Sequence, residues 1–118
     1  MLTTKPDVRF RIITPALVRM EGILLLASGI LPDLPAEGLV ITVGSNGQHM
    51  KNSRHYSGEA LDLRSKSFRN GAVRAAFMGS LQQLLGPQFS VLLEDAGTDN
   101  EHFHIQVRKG HRFDETQP

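Results

Sequence analysis

Two short stretches of the chain concentrate the side chains that bind metal ions. The first runs from residue 53 to residue 62 and contains His55 and Asp62, and the second, residues 101–104, ends in His104. Imidazole nitrogens and carboxylate oxygens are ligands of zinc, and a catalytic zinc site takes about three of them and keeps one position open for water. We therefore predict a metal site formed by His55, Asp62 and His104.

Glu101 would remain as a free carboxylate beside such a metal. A carboxylate in that place takes a proton from the bound water and later passes it to the leaving amine. A strictly extended strand would direct Glu101 to the face opposite His104, because side chains alternate along a strand. Glu101 directly follows a predicted turn at residues 96–100, so its backbone need not be extended. We predict Glu101 as the general base.

The rest of the sequence predicts the elements that position these residues. Thr14-Pro15 is typical of a helix start, and helical apolar spacing then continues to Ser28-Gly29. Asn70 to Leu85 predicts a second helix. Short apolar or alternating runs predict strands at 39–43, 59–64, 89–93 and 102–107. This order predicts an α+β fold, a small antiparallel sheet with helices packed on one side.

The segment between the first two predicted strands, residues 45–58, is polar and has no hydrophobic periodicity. A long polar loop in so small a domain is a candidate for function. It leads into the strand that carries Asp62, where Leu61 and Leu63 would face the core and Asp62 a cleft. Ala60 shares the face of Asp62 and is small enough to leave space beside a metal.

Taken together, the two stretches resemble the zinc site of D-Ala-D-Ala carboxypeptidases and dipeptidases, which are relatives of the hedgehog signalling domain. The first matches their S-x-H-x-x-G-x-A-x-D signature in register, at Ser53, His55, Gly58, Ala60 and Asp62. The second matches the E-x-x-H that completes the site, and also the H-x-H of related murein peptidases. With the order of elements, the resemblance extends over residues 14–107 and implies a hedgehog/DD-peptidase-like fold.

The resemblance implies zinc held by His55, Asp62 and His104, with Glu101 as general base. It also implies hydrolysis of short peptides that contain D-amino acids, most often derived from peptidoglycan. The residues expected to contact the substrate are Ser53, His102, Arg54 and Tyr56.

One segment departs from the family pattern. Such enzymes often carry an arginine before the first motif, where it stabilises the oxyanion, and residues 42–49 contain none. The alternatives for that role are Asn46, Gln48, His49 and Arg54.

Other ionisable residues near the motifs have simpler interpretations. His49 lies in the same loop as His55, and we expect it not to be a metal ligand. Glu94 and Asp95 lie near a predicted turn and are interpreted as the solvated end of a hairpin. A calcium site is the alternative for this acidic pair, because calcium binds carboxylate oxygens.

Composition limits the remaining functions. The chain has no cysteine, which excludes a disulfide framework, a thiolate zinc finger, an iron–sulfur site and a cysteine nucleophile. Thirteen basic and twelve acidic residues give a formal net charge of +1, which offers no electrostatic footprint for nucleic acid or an anionic membrane. The longest apolar run, residues 23–27, is far shorter than the ~20 residues of a membrane-spanning helix.

The 118 residues correspond to a single zinc peptidase-like domain, residues 1–118, with 1–12 and 109–118 as peripheral tails. The first residues lack the continuous apolar stretch of a secretory signal. We therefore expect a cytoplasmic protein, or one released by lysis, unless the chain is a processed or truncated form. Nothing in the sequence indicates an oligomeric state.

Two other functions fit the sequence. The first is a zinc-binding interaction module without catalysis, as hedgehog-like domains illustrate; the missing arginine favours it and Glu101 argues against it. The second is an interaction domain without a metal, in which the two motifs are coincidental. Metal analysis of the purified protein separates the second from the others.

Overall fold

The computed structural model describes residues 1–49 and 51–117, and it is a compact α+β domain. Its helices are α1 (Pro15–Ile30) and α2 (Gly71–Leu85). The five strands are β1 (Leu2–Thr4), β2 (Leu39–Val43), β3 (Ala60–Arg64), β4 (Phe89–Glu94) and β5 (His102–Val107). The predicted α+β class is therefore confirmed. Neither helix in the described part of the chain has the length and hydropathy to cross a membrane.

The five strands form one mixed sheet in the order β1-β2-β3-β5-β4. All neighbouring pairs are antiparallel except β1 and β2, which run parallel, with Leu2 opposite Leu39 and Thr4 opposite Ile41. The prediction of a purely antiparallel sheet is therefore wrong at this edge. The sequence could not reveal β1, because a strand of three residues is too short to show alternation.

Both helices begin at a side chain that caps the first turn. The hydroxyl of Thr14 accepts a hydrogen bond from the Leu17 N–H at 3.0 Å, and Pro15 occupies the first helical position of α1. In α2, the Asn70 side-chain oxygen accepts from the Val73 N–H at 2.9 Å. Gly86 ends α2 with a φ of 86°, a left-handed conformation that favours glycine.

Alternation along β3 and β5 separates an apolar face of the sheet from a polar face. Leu61, Leu63, Phe103 and Ile105 are fully buried and belong to the same hydrophobic core as the buried residues of both helices. Both helices therefore pack against that face. The intervening side chains of β3 and β5 lie on the opposite, polar face.

The aromatic packing around Phe103 at the centre of the core allows a prediction of how much Phe103→Ala destabilises the protein. The ring of Phe103 is fully buried and lies 5.3 Å from the ring of Phe68 and 5.2 Å from that of Phe77. Replacing Phe103 with alanine is expected to lower the free energy of unfolding by about 3–5 kcal/mol, since it leaves a cavity among these rings. Urea denaturation measures the change, and Leu92→Ala, at a half-exposed position on β4, is the control expected to stay close to wild type. A loss below 1 kcal/mol (about a fivefold change in the folding equilibrium) for Phe103→Ala would contradict this packing.

The two predicted tails contact the domain. Besides forming β1, the N-terminal segment buries Val8, which is 8% exposed. At the other end, the ring of Phe113 lies 5.4 Å from that of Phe89, and the Arg19 guanidinium lies over the Phe113 ring at 5.2 Å. The Asp114 N–H donates to the Gln88 side chain at 2.7 Å, so residues 111–117 are packed across the domain surface rather than extended into solvent.

Candidate metal centre

Three buried side chains meet on the polar face of the sheet. The imidazole Nε2 of His55 lies 3.2 Å from Asp62 Oδ1, and the imidazole Nδ1 of His104 lies 3.0 Å from the same oxygen. One potential ligand atom from each residue lies within 4.8 Å of those of the other two. The three residues are only 3%, 5% and 8% exposed, respectively. The structure thus brings together all three predicted metal ligands.

The sheet register explains how two of these ligands meet. Asp62 on β3 and His104 on β5 are direct cross-strand partners, and directly opposed side chains on one face of a sheet are close neighbours. The third, His55, comes from the polar loop, which turns back to β3 at Gly58. Gly58 has a φ of 72°, and a Cβ there would lie 2.9 Å from Ile12, so a larger residue would displace the loop.

The hydrogen bond on the far side of the His55 ring determines which nitrogen faces the cluster as an acceptor. His55 Nδ1 lies 2.8 Å from the Gly44 carbonyl oxygen, and a carbonyl only accepts. We therefore assign the proton to Nδ1. The inner nitrogen, Nε2, then directs a lone pair at the Asp62 carboxylate.

His104 is oriented in the same way as His55, except that Nε2 is the outer nitrogen and Nδ1 the inner one. Its Nε2 lies 2.8 Å from Gln106 Oε1, and the Gln106 amide nitrogen donates to the Val107 carbonyl at 3.0 Å, which fixes the orientation of the amide. His104 Nε2 therefore donates, and Nδ1 faces Asp62. Two nitrogen lone pairs and a carboxylate oxygen cannot stably face one another unless protons or a metal cation lie between them. The cluster therefore has the donor set and the arrangement to hold a metal ion.

The N-terminal segment supports the carbonyl that orients His55. The Gly44 N–H donates to the side-chain oxygen of Asn46 at 2.9 Å, and the Ser45 N–H donates to the Arg9 carbonyl at 2.6 Å. A Cβ on Gly44 would lie 2.5 Å from that Arg9 oxygen. Only glycine fits between the N-terminal segment and the metal cluster.

The charges in the cluster shift the pKa values of its members. Burial raises the pKa of Asp62, but hydrogen bonds from His104 and His55 and the charges of His55 and His102 outweigh it and lower that pKa to about 2. Burial lowers the pKa of His104, yet hydrogen bonds to Asp62 and Gln106 and the nearby carboxylate charges raise it overall. In the metal-free protein these shifts favour a carboxylate facing a protonated imidazole.

These shifts predict how the stability of the metal-free protein depends on pH. The contribution of Asp62 is present above its ordinary pKa of 3.8 and is lost as the pH falls toward 2. The contribution of His104 is present below its ordinary pKa of 6.5 and is lost as the pH rises through its raised pKa. Thermal denaturation in a chelator should therefore give a higher Tm at pH 5.5 than at pH 8.

Zinc should stabilise the protein more at the higher pH, because a ligand nitrogen must lose its proton to bind metal. The rise in Tm on adding zinc is expected to be larger at pH 8 than at pH 5.5. The His104→Gln variant serves as the control and should show a weaker pH dependence without metal. An equal zinc effect at both pH values would contradict the assignment of these groups as ligands.

Glu101 lines the cleft, but its carboxylate is hydrogen-bonded to groups outside the cluster. One carboxylate oxygen accepts from the Ser65 hydroxyl at 2.7 Å, and the other accepts from the Gly97 N–H at 2.9 Å. The Arg74 guanidinium lies 3.6 Å from the first oxygen. The hydrogen bond from Gly97, followed by those from Ser65 and the nearby positive charges, lowers the pKa of Glu101. This carboxylate is thus directed to Ser65 and Arg74 rather than to the cluster.

A different carboxylate, Glu94, reaches the cluster. Glu94 is the cross-strand partner of His102, and its Oε1 lies 3.0 Å from His102 Nε2 and 3.8 Å from His104 Nδ1. His102 Nε2 also lies 3.6 Å from the second oxygen of Asp62. His102 therefore lies between two carboxylates beside the cluster. The sequence interpretation of Glu94 as part of the solvated end of a hairpin is therefore incomplete, because the strand extends one residue further and places Glu94 opposite His102.

The other residues expected to contact substrate lie around the His55 loop. The Ser53 hydroxyl accepts from the His55 N–H at 3.2 Å and so shapes the turn that presents the ring. Arg54 pairs with Glu59 at 3.1 Å, and the Tyr56 hydroxyl accepts from the backbone N–H of His49 at 2.7 Å. Ser53 and Arg54 line the cleft around the cluster, which has a volume of about 1080 Å³, whereas Tyr56 faces a neighbouring groove.

Comparison with known proteins does not identify a family. No protein-family model matches the chain, and no curated protein matches it.

Proposed function

We propose that the protein is a zinc-dependent peptidase that hydrolyses short peptides. The observation that carries this proposal is the arrangement of the two inner ring nitrogens. His55 and His104 each donate their outer N–H to a neutral oxygen and direct their inner nitrogen at one oxygen of Asp62. Such outer hydrogen bonds fix the ring orientation of metal-binding histidines.

The donor set favours zinc over harder cations. Two imidazole nitrogens and one carboxylate form a typical three-residue set for catalytic zinc, whereas calcium and magnesium prefer oxygen ligands alone. Two ligands at about 2.1 Å from a tetrahedral zinc lie about 3.4 Å apart. The distances of 3.2 and 3.0 Å from Asp62 Oδ1 to the ring nitrogens are close to that separation. Zinc bound there would polarise a carbonyl and lower the pKa of bound water to about 7.

Glu94 is the carboxylate best placed to act as general base. Its side chain is 44% exposed at the edge of the cleft, with one oxygen 3.8 Å from His104 Nδ1. With zinc bound, Glu94 would take up a proton from the water that attacks the peptide carbonyl and would pass it to the leaving amine. Glu101, the base that the sequence motif suggests, has both oxygens engaged by Ser65 and Gly97 and a lowered pKa, which makes it a weaker base.

The substrate class follows from the cleft and from the sequence motif. The cleft is open to solvent and lined by both positive and negative side chains, which suits a short peptide with charged ends better than a polyanion. The match to the S-x-H-x-x-G-x-A-x-D signature points to peptides with D-amino acids, such as peptidoglycan fragments, and to a hedgehog/DD-peptidase-like fold.

The second candidate is a zinc-binding interaction module without catalysis. The observation that favours it is the commitment of Glu101 to Ser65, Gly97 and Arg74, because a motif glutamate with a structural role need not act on water. Such a module would bind zinc as the peptidase would, but it would not hydrolyse peptides.

Two measurements separate these candidates. Protein purified without added zinc is analysed for metal by mass spectrometry, and one zinc per chain is expected. The same protein is then incubated with an acetylated tripeptide ending in D-Ala-D-Ala and with purified peptidoglycan fragments. Release of free amino acid or smaller fragments supports the peptidase. Stoichiometric zinc without any product supports the interaction module, and absence of zinc binding overturns both.

A further inference from the structure

A further imidazole, that of His49, packs directly against the cluster of His55, Asp62 and His104. The His49 ring stacks on the His55 ring, with centroids 4.1 Å apart and planes inclined by 18°. His49 also lines the cleft and is half-buried. It is therefore adjacent both to a metal ligand and to the space that a substrate would occupy.

The hydrogen bonds around His49 leave one ring nitrogen unused. His49 Nε2 lies 2.8 Å from the Asn46 carbonyl oxygen, and because a carbonyl only accepts, Nε2 carries the proton. Nδ1 then carries a lone pair, and within residues 1–49 and 51–117 no hydrogen bond reaches it. The Tyr56 ring packs edge-on at 5.3 Å, and its hydroxyl accepts the backbone N–H of His49. The ring is thus held in place with a free acceptor.

Two of the other residues considered as replacements for the missing arginine offer no free acceptor for a substrate N–H group. Asn46 Oδ1 accepts from the N–H groups of Gly44 and Arg9, at 2.9 and 3.3 Å. The guanidinium of Arg54 pairs with Glu59 at 3.1 Å and donates to the His111 carbonyl at 3.2 Å. His49 differs from both as an acceptor, because the Asn46 oxygen already accepts two hydrogen bonds and a guanidinium has no acceptor.

Building on the peptidase function proposed above, we propose that His49 is a substrate-binding residue whose Nδ1 accepts a hydrogen bond from a backbone N–H of the bound peptide. A neutral imidazole with its outer N–H engaged presents a good acceptor, and each peptide unit of a substrate offers one donor. The interaction would fix the peptide beside His55.

The test separates stacking from hydrogen bonding. His49→Phe keeps an aromatic ring against His55 but removes the acceptor, and His111→Phe, at an exposed position, is the matched control. Zinc affinity and kcat/KM are measured with the acetylated D-Ala-D-Ala tripeptide and with analogues methylated singly at each nitrogen that is not in the scissile bond. Methylation removes one N–H donor at a time.

We expect His49→Phe to bind zinc like wild type and to lose about tenfold in kcat/KM, the effect of one hydrogen bond. For wild type, kcat/KM should fall about tenfold with one of the methylated analogues. For His49→Phe, kcat/KM with that analogue should equal the value with the unmethylated tripeptide. Unchanged kcat/KM in the variant, or independent losses at every methylated position, would overturn the proposal. Should His49→Phe fail to fold, His49→Asn, which has an amide acceptor, replaces it and should retain the sensitivity to methylation at that same nitrogen.

A binding measurement tests the contact between His49 and the peptide independently of peptidase activity. The same set of variants and analogues is also measured as Kd for the tripeptide on the zinc-loaded protein. If wild type binds zinc but releases no product, the peptidase proposal fails, and the Kd values still support or overturn the contact to His49.

Discussion

Replacing Asp62 with alanine is expected to abolish stoichiometric zinc binding. Asp62 Oδ1 is the single atom that both inner ring nitrogens approach, at 3.2 and 3.0 Å, so the variant loses the shared oxygen ligand. Loss of residues outside the ligand set typically lowers metal affinity by about 10- to 100-fold, and loss of a direct ligand should exceed that range. Titration with a competing chelator measures the zinc Kd.

Asp99→Ala is the matched control for this substitution. Asp99 is also an aspartate that lines the cleft, and it is exposed and lies outside the ligand set. Its zinc Kd should equal that of wild type. Circular dichroism and Tm of both metal-free variants establish that they fold. Tight stoichiometric zinc in folded Asp62→Ala would refute the proposed centre.

Replacing Glu94 with glutamine is expected to remove peptidase activity while zinc stays bound. The amide keeps the size of the side chain and the contact to His102 but cannot take a proton. General base catalysis contributes about 10²- to 10⁴-fold, so kcat should fall by at least about 100-fold with the zinc Kd little changed. The assay is release of D-alanine from the acetylated tripeptide.

Glu101→Gln provides the comparison that decides between the two carboxylates. This variant weakens contacts to Ser65, Gly97 and Arg74, so its main expected effect is a lower Tm, with kcat within a few-fold of wild type. Loss of turnover in Glu101→Gln together with retained turnover in Glu94→Gln would assign the base to Glu101 and reject the proposal for Glu94.

The places of Asp62 and His104, two of the three proposed ligands, were predictable because they depend on simple alternation along strands. Leu61 and Leu63 face the core, so Asp62 has to face the other side of β3, and the same argument on β5 places His104. The position of His55 depends instead on the loop conformation. Its ring is oriented by the Gly44 carbonyl, eleven residues earlier in the chain, and no periodicity in the sequence encodes that contact.

The features that the sequence did not predict, the contact between Glu94 and His102 and the strand β1, depend on the conformation of a turn and on pairing at the edge of the sheet. Glu101 and Glu94 flank one turn, and the conformation of that turn decides which of the two carboxylates reaches His102. Neither β-propensity nor motif spacing specifies it. β1 was missed for a related reason, since three residues at a sheet edge gain their structure from pairing with Leu39–Val43 rather than from their own pattern.

The contact between the N-terminal segment and Gly44 links the metal centre to the edge of the fold. The Arg9 carbonyl accepts from the Ser45 N–H, and the Arg11 N–H donates to the Ser45 hydroxyl, next to the carbonyl that orients His55. We therefore expect metal binding and the docking of this segment to be thermodynamically coupled, so that fraying of the segment would lower zinc affinity although it contains no proposed ligand. Conversely, zinc bound at the cluster would hold the first eleven residues in place and make the edge of the sheet more resistant to local unfolding.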